Sequence, residues 1–527
     1  MRYTICLALL WVSAIMSPVW AQRPNILFAI SDDQSFPHAG AYGCTWVNTP
    51  AFDRVARDGI LFSNAYTPNA KCAPSRACIL TGRNSWQLEA AGNHMPYWPQ
   101  KFKTYAEALG ENGYHVGATQ KTWAPGDPGT VNGKRRELCG KRYNTHKCRP
   151  PARAISGNDY AENFRQFLDE RPAGKPFCFW YGSTEPHRAY EYGAGVNKGG
   201  KKLSQIDRVF PMWPDNEVTR NDMLDYAFEI EYFDSHLDRM LTLLKQRGEL
   251  GNTLVVVTAD NGMPFPRIKG QEYEYSNHLP LAIMWPKGIK RPGRTYEGFV
   301  SFIDFAPTYL ELAGIDSQAS GMQPITGHSL RDVFDDAVSV TRDHVLIGKE
   351  KHDVGRPGDF GYPIRGIVKG DYLLIHNYRT ERWPAGNPET GYLNCDGSPT
   401  KTEILNMNRS GDNTWYWEMS FGKRSPKELY HRIEDPLCIN NLAYAREHAA
   451  RVAHLTQQME GELAEQKDPR MLGNEDIFDS YPTSSKHIEN YYERYMAGEK
   501  VRAGWVSPSD YEPLTPKRHV APSSGDP

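Results

Sequence analysis

Past its first 21 residues the 527-residue chain has no run apolar enough to cross a bilayer, so no membrane span is expected in the mature protein. It also has no charge bias. The 61 Lys and Arg nearly cancel the 63 Asp and Glu, leaving a formal net charge of -2. That argues against bulk nucleic-acid binding and polybasic membrane anchoring, and leaves a local anion site open. There is no internal repeat and no long low-complexity tract. At roughly 150 residues per domain the length permits one large domain and one or two smaller ones. A chain this long can bury its core without covalent staples.

The N-terminus has the composition of an export signal. Arg2 supplies a positive end and Ile5 to Met16 a short apolar stretch. Val19 and Ala21 satisfy the small-residue rule before a cut at Gln22. Residue 22 is not Cys, which argues against a lipoprotein, and a soluble periplasmic or secreted protein is expected. Beyond the signal lie Cys44, Cys72, Cys78, Cys139, Cys148, Cys178, Cys395 and Cys438. Export permits disulfides. Cys139 with Cys148, and Cys395 with Cys438, are the candidate pairs, though spacing does not fix connectivity.

The first two-thirds alternates buried-strand runs with helical patterns. Strands are expected at 25–30, 113–119, 176–181, 253–258 and 279–285, with helices at 105–112, 161–169 and 222–247 and a further one opening at Pro50. Continuous apolar strands alternating with helices predict an α/β fold: a large mixed, mostly parallel sheet covered by helices on both faces. After Leu330 the texture changes to a smaller C-terminal α+β domain, with a strand near 372–376 and a helix over 443–466. The expected division is a signal at 1–21, a catalytic domain at 22–345, a smaller domain at 346–480 and a tail at 481–527. The tail, rich in Pro, Ser, Lys and Tyr, is either an arm packed on the body or partly disordered.

Polar residues fall where such a fold builds sites. Asp32 and Asp33, Lys121, His187, and Asp260 with Asn261 each follow the C-terminal end of an expected strand. Open α/β sheets bind ligands along that edge. Each residue alone also fits a turn or cap. Four strands delivering such groups to one edge do not.

The most specific segment is Cys72-Ala-Pro-Ser-Arg-Ala-Cys-Ile-Leu-Thr-Gly-Arg83. It resembles the signature of the type I sulfatases, C-x-P-S-R-x-x-x-L-T-G-R, at every fixed position. The resemblance runs from about Arg23 to Ala443. It takes in Asp32-Asp33, Thr258 to Gly262, Lys269 with Tyr273, Glu274 and Pro280, Asp304 to Thr308, Gly327 with Ser329-Leu330, Glu428 to Tyr430, and Asp435-Pro436 with Asn441 to Ala443. In that alkaline-phosphatase superfamily, the resemblance implies, Cys72 is oxidised to formylglycine by a formylglycine-generating or anaerobic maturating enzyme. The hydrated aldehyde then attacks sulfur, a case of nucleophilic catalysis. Asp32, Asp33, Asp260 and Asn261, with residue 72 itself, would hold one Ca²⁺, a hard cation that prefers oxygen donors. Arg76, Lys121 and Lys269 would spread the charge of the sulfate, and His187 would hydrogen-bond it or protonate the leaving group.

The physical pattern agrees with this. Cys72 opens an expected helix, with Pro74 just inside and Gly82 near its end, and Arg76 lies one turn on. A helix N-terminus suits a tetrahedral oxyanion. Two positions depart from the family. Its frequent G-K-x-H run is Gln120-Lys121-Thr122-Trp123 here, and its frequent Arg two residues before Pro280 is His278. Trp123 is then a candidate for stacking on a sugar or for simple packing, and Arg188 and His278 are candidate substrate contacts. The basic stretch 134–153 either meets a polyanionic glycan or is a solvated loop.

The reading is a sulfatase acting on sulfated carbohydrate, either glucosamine N-sulfate or an O-sulfate ester. The Thr258 to Pro266 run, His187-Arg188 and the Lys121-x-Trp123 variation look closest to the sulfamidase-like branch. The alternatives are a phosphodiester or phosphonate monoester hydrolase of the same superfamily, and a non-catalytic glycan-binding relative.

Overall fold

Seven residues from Asn25 to Ser31 (NILFAIS) are all buried, which only a strand covered on both faces permits. The computed structural model describes residues 23–339 and 342–513, and puts this strand at the centre of an eight-stranded sheet. The expected signal segment lies outside the described residues. Phe177–Gly182 and Thr253–Ala259 flank the central strand, both parallel to it. His115–Gln120 and Lys141–Arg142 extend one side in parallel. On the other side Leu281–Met284 runs antiparallel to both of its neighbours, Thr253–Ala259 and Ile60–Phe62, and Arg294–Tyr296 closes the edge.

Alternate residues of each central strand feed two cores. Phe28, Ile30 and Val256 pack with the helices Cys72–Thr81 and Phe305–Leu312. Leu27, Ala29, Val255 and Val257 pack with Pro50–Asp58, Tyr160–Glu170 and the 30-residue helix Glu217–Gln246. The last of these begins five residues before its expected start, because the Asn216 side chain accepts from Thr219 N–H and so caps it there.

A second sheet is wholly antiparallel: His344–Lys349, Ile364–Lys369, Tyr372–Asn377 and Lys427–His431, in that order. One face packs under the helix Ala449–Glu465. The other meets Tyr66, Tyr273 and Phe299 of the large sheet's surroundings. Of the two expectations for the tail, residues up to 513 follow the first and lie against the body. Lys401 Nζ meets Asp510 at 3.1 Å with both side chains buried, and Ser484 N–H donates to Met95 O at 2.8 Å.

Neither candidate disulfide forms. All eight described cysteines are free. Cys139 sits in the core beneath the Cys72 helix, whereas Cys148 meets the Tyr232 hydroxyl at 3.3 Å. Cys395 and Cys438 belong to different cores. Burial pushes the Cys139 thiol up to about 12, leaving it a poor thiolate source. Adding reductant should therefore leave the thermal midpoint unchanged, as checked by differential scanning calorimetry. A fall of several degrees would show a stabilising disulfide.

Candidate active site

The helix Cys72–Thr81 stands at the centre of the candidate site, and its ends explain its position. Lys71 precedes it in extended conformation and Gly82 ends it at φ 68, donating to Cys78 O at 2.9 Å. A Cβ at Gly82 would stand 2.8 Å from Ile325, on a backbone that side chains rarely adopt. All ten helix residues are buried. First-turn N–H groups have no intrahelical partners, so the Cys72 end is electropositive.

The sheet edge delivers the rest. Asp32 and Asp33 leave the central strand, and Asp33 N–H donates to Asp260 Oδ1 at 3.0 Å. Asn261 Nδ2 donates to Asp33 Oδ1 at 2.7 Å. Lys121 follows its strand, its N–H bonded to Gly182 O at 2.9 Å. That approach requires glycine: a Cβ at Gly182 would stand 1.7 Å from Lys121 O. Lys121 Nζ then reaches Asp32 Oδ2 at 2.5 Å. Lys269 Nζ bridges Asp33 Oδ2 (2.6 Å) and Asp396 Oδ2 (2.7 Å). Arg76 is fully buried. Its Nε donates to Asp260 Oδ2 at 2.8 Å and its Nη1 to the carbonyls of Lys121 and Thr122, both at 3.0 Å. His187 is half-buried. Its Nδ1–H donates to Arg188 O at 2.6 Å, leaving Nε2 free, 3.9 Å from Asp33 Oδ2.

Three buried carboxylates, Asp32, Asp33 and Asp260, place oxygens within 4.8 Å of one another. Asp32 Oδ1 and Asn261 Oδ1 are buried and have no hydrogen-bond partner. Such unsatisfied oxygens are costly unless a cation completes them. An all-oxygen set of this kind fits a hard divalent ion. Burial raises the Asp260 carboxyl, the state a nearby cation would reverse. For Cys72, burial raises the thiol, but Lys121 and His94 outweigh it and the net shift is downward.

Cys72, Lys121, His187 and Lys269 thus line one cleft of about 320 Å³, and Arg76 and the four oxygen donors are buried behind it, joined through the Lys121–Asp32 and Lys269–Asp33 contacts. The three candidate substrate contacts do not join them. Trp123 is buried under the helix, its Nε1–H on Ala73 O at 3.1 Å and its ring edge-on to Trp98, so its faces are not free. Arg188 is tied to Asp222 by two bonds of 2.6 and 2.8 Å and faces a separate cleft. His278 is buried, stacked between Phe36 and Tyr66 and bonded to Glu274 at 2.9 Å. Much of the basic stretch is engaged by the protein itself: Arg136 pairs with Glu107, Lys141 with Glu170, and Arg142 donates to Thr122.

The sequence reading missed Lys71, His94, Asp353 and Asp396. His94 Nε2 lies 3.4 Å from Cys72 Sγ, and its Nδ1–H donates to Asp353 Oδ1 at 2.7 Å. Lys71 Nζ meets the other Asp353 oxygen at 2.8 Å. His94, Asp353 and Asp396 sit in loops distant in sequence, with no spacing that links them. Only Lys71, next to Cys72, carried a positional hint.

Burial alone would raise the Asp353 carboxyl, but Lys71 and His94 hold it well below the usual range. Its pairing therefore stabilises the fold above the ordinary carboxylate pKa and is lost as pH falls through the depressed value. Asp353→Asn should cost about 3–5 kcal/mol near neutral pH, since it strands two buried cations. The deficit should shrink in acid, where the wild type loses the same pairing. Urea melts at several pH values check this.

Comparison with known proteins gives a family model, Sulfatase, matching residues 24–315, and a second, N-sulphoglucosamine sulphohydrolase, C-terminal, matching 269–385. The chain is 28% identical to the N-sulphoglucosamine sulphohydrolase of Homo sapiens, over 87% of this chain and 92% of that one. It is 30% identical to an ulvan-active sulfatase of Formosa agariphila, over 71% and 70% respectively. A solved structure of a protein in complex with its substrate D-glucosamine-2-N,6-O-disulfate superposes with TM-score 0.62 at 20% identity, covering 85% of this chain and 98% of that one.

Proposed function

Because the chain belongs to the sulfatase family, whose members are sulfuric ester hydrolases, we propose that it removes sulfate from a sulfated carbohydrate, using formylglycine made from Cys72 and one Ca²⁺. The observation that carries this is the cleft itself. Cys72 lies at the start of a buried helix with Lys71, Lys121 and Lys269 around it, beside a buried all-oxygen donor set.

Asp32, Asp33, Asp260 and Asn261 would hold the ion, together with the modified residue 72. Bound there, the ion and the hydrated aldehyde supply a Lewis acid and a nucleophile. The remaining work falls to this chain's own side chains. Lys121 and Lys269 flank the cleft and stabilise negative charge growing on the sulfate oxygens. Arg76 fixes Asp260 and the Lys121 backbone, so the cationic frame does not reorganise during reaction. His187 holds Nδ1–H on a carbonyl, so in its doubly protonated form Nε2–H is the proton it gives to the departing oxygen or nitrogen, returning to the neutral ring. His94, oriented by Asp353, presents Nε2 to the side chain at position 72 and hydrogen-bonds it there.

The relatives act on N-sulphoglucosamine and ulvan by their names, which supports a sulfated sugar as substrate here. The second family model favours the N-sulfated sugar. The reading includes export to the periplasm or outside, maturation by a formylglycine-generating or anaerobic maturating enzyme, and units at 22–345, 346–480 and 481–527 after the signal.

The test is sulfate release by matured protein in calcium. The panel is N-sulfated glucosamine, O-sulfated glycosaminoglycan fragments and sulfated algal oligosaccharides. Release from at least one is expected, with the Cys72 peptide carrying an aldehyde by mass spectrometry and Cys72→Ala inactive. Aldehyde present and no release from any sugar would refute the carbohydrate reading.

A further inference from the structure

The cleft over Cys72 has two unlike kinds of lining. One is charged and carries Lys71, Lys121, His187 and Lys269 with their carboxylate partners. The other is apolar: Met95, Ala124, Pro125 and Trp505. Trp505 comes from the C-terminal arm, far outside the segment matched by either family model.

Four contacts fix this arm where it meets the cleft. Trp505 Nε1–H donates to Leu393 O at 2.8 Å, which ties the indole edge. Trp505 O accepts from Gly397 N–H at 2.8 Å, one residue from the Asp396 that holds Lys269. Ser484 donates to Met95 O through both N–H (2.8 Å) and Oγ (3.0 Å), one residue from His94. Behind Trp505, Ile488, Tyr491, Val501 and Ala503 share a small core with Met95, Val354 and Leu393. The arm is therefore a fixed wall, and Trp505 remains only half-buried because part of it lines the cleft.

Only a ligand with one anionic edge and one apolar face satisfies both sides. A pyranose offers such a face in its ring C–H groups, and a sulfate on its rim supplies the anion. An indole is large, rigid and amphipathic, and so suited to that face. The volume, about 320 Å³, is at the small end of the ~300–1,000 Å³ usual for ligand pockets, enough for one ring. We infer that Trp505 is a specificity-determining wall of the substrate site, packing against the ring of a single sulfated pyranose whose sulfate rests on the cationic side. The inference rests on the proposed carbohydrate sulfatase activity and deepens it.

The test compares wild type, Trp505→Phe and Trp505→Ala on the sulfated monosaccharide the wild type turns over best, and separately measures inhibition by inorganic sulfate. Losing the stacked ring should raise KM in Trp505→Ala roughly tenfold. kcat should stay within about twofold, because uniform binding is what is lost. Trp505→Phe should recover most of the KM. Inorganic sulfate, which engages only the charged side, should inhibit all three equally. An unchanged KM in Trp505→Ala overturns the inference. So does a parallel loss of sulfate inhibition, since the arm would then shape the anion side and not bind the sugar. If the wild type releases no sulfate from any sugar, the carbohydrate reading itself fails, a result seen before any variant is compared.

Discussion

Everything at this sheet edge depends on balancing buried charge. Asp32, Asp33, Asp260, Asp353 and Asp396 are all almost fully buried, as are Arg76, Lys71 and Lys269. Each uncompensated charge in such a place costs roughly several kcal/mol. The arrangement persists because every cation touches at least one carboxylate, and because Asp32, Asp33 and Asp260 converge on a point that a divalent ion fits. Lys71 and Lys269, which pair with Asp353, Asp33 and Asp396, also line the cleft in which an anionic substrate would sit. Stability and anion recognition draw on one set of groups here.

The fold makes this balance possible by converging strand ends. Three parallel strands end beside one another and release Asp32-Asp33, Asp260-Asn261 and the loop to His187. A fourth strand ends at Gln120 and turns Lys121 inward past Gly182. The helix Cys72–Thr81 then packs on the sheet through the core residues Ala73, Ala77 and Leu80, so that Cys72 and Arg76 reach the same edge. The small antiparallel sheet and the arm add the other side, through Asp353, Asp396 and Trp505.

The centre of the sheet was legible because Asn25–Ser31, Phe177–Gly182 and Thr253–Ala259 are apolar runs buried along their whole length, whereas Ile60–Phe62, Lys141–Arg142 and Arg294–Tyr296, of two or three residues each, carry no such signal and were missed. The convergence of the candidate site was legible where residues share a motif or follow a strand: Cys72, Arg76, Lys121, His187, Lys269 and the four oxygen donors lie together. What stayed hidden is what tertiary packing decides. His94 and Asp353 are brought to Cys72 from loops with no periodic or spacing signal. Trp123 and His278 have the chemistry of ligand contacts, but the core claims both: one lies under the helix and the other between two aromatic rings. Arg188 is two bonds deep in Asp222. Disulfide pairing failed for the same reason, since nearness in sequence placed Cys139 and Cys148 in different surroundings.

The central claim is that Asp32, Asp33, Asp260 and Asn261 form a cation site on which the charge balance rests. The most direct measurement is isothermal titration of Ca²⁺ into chelator-stripped protein, with Asp260→Asn alongside. The account predicts one ion per chain, a raised thermal midpoint on binding, and loss of that binding in the variant. A folded wild type that takes up no divalent ion, or a variant that binds it undiminished, would contradict it.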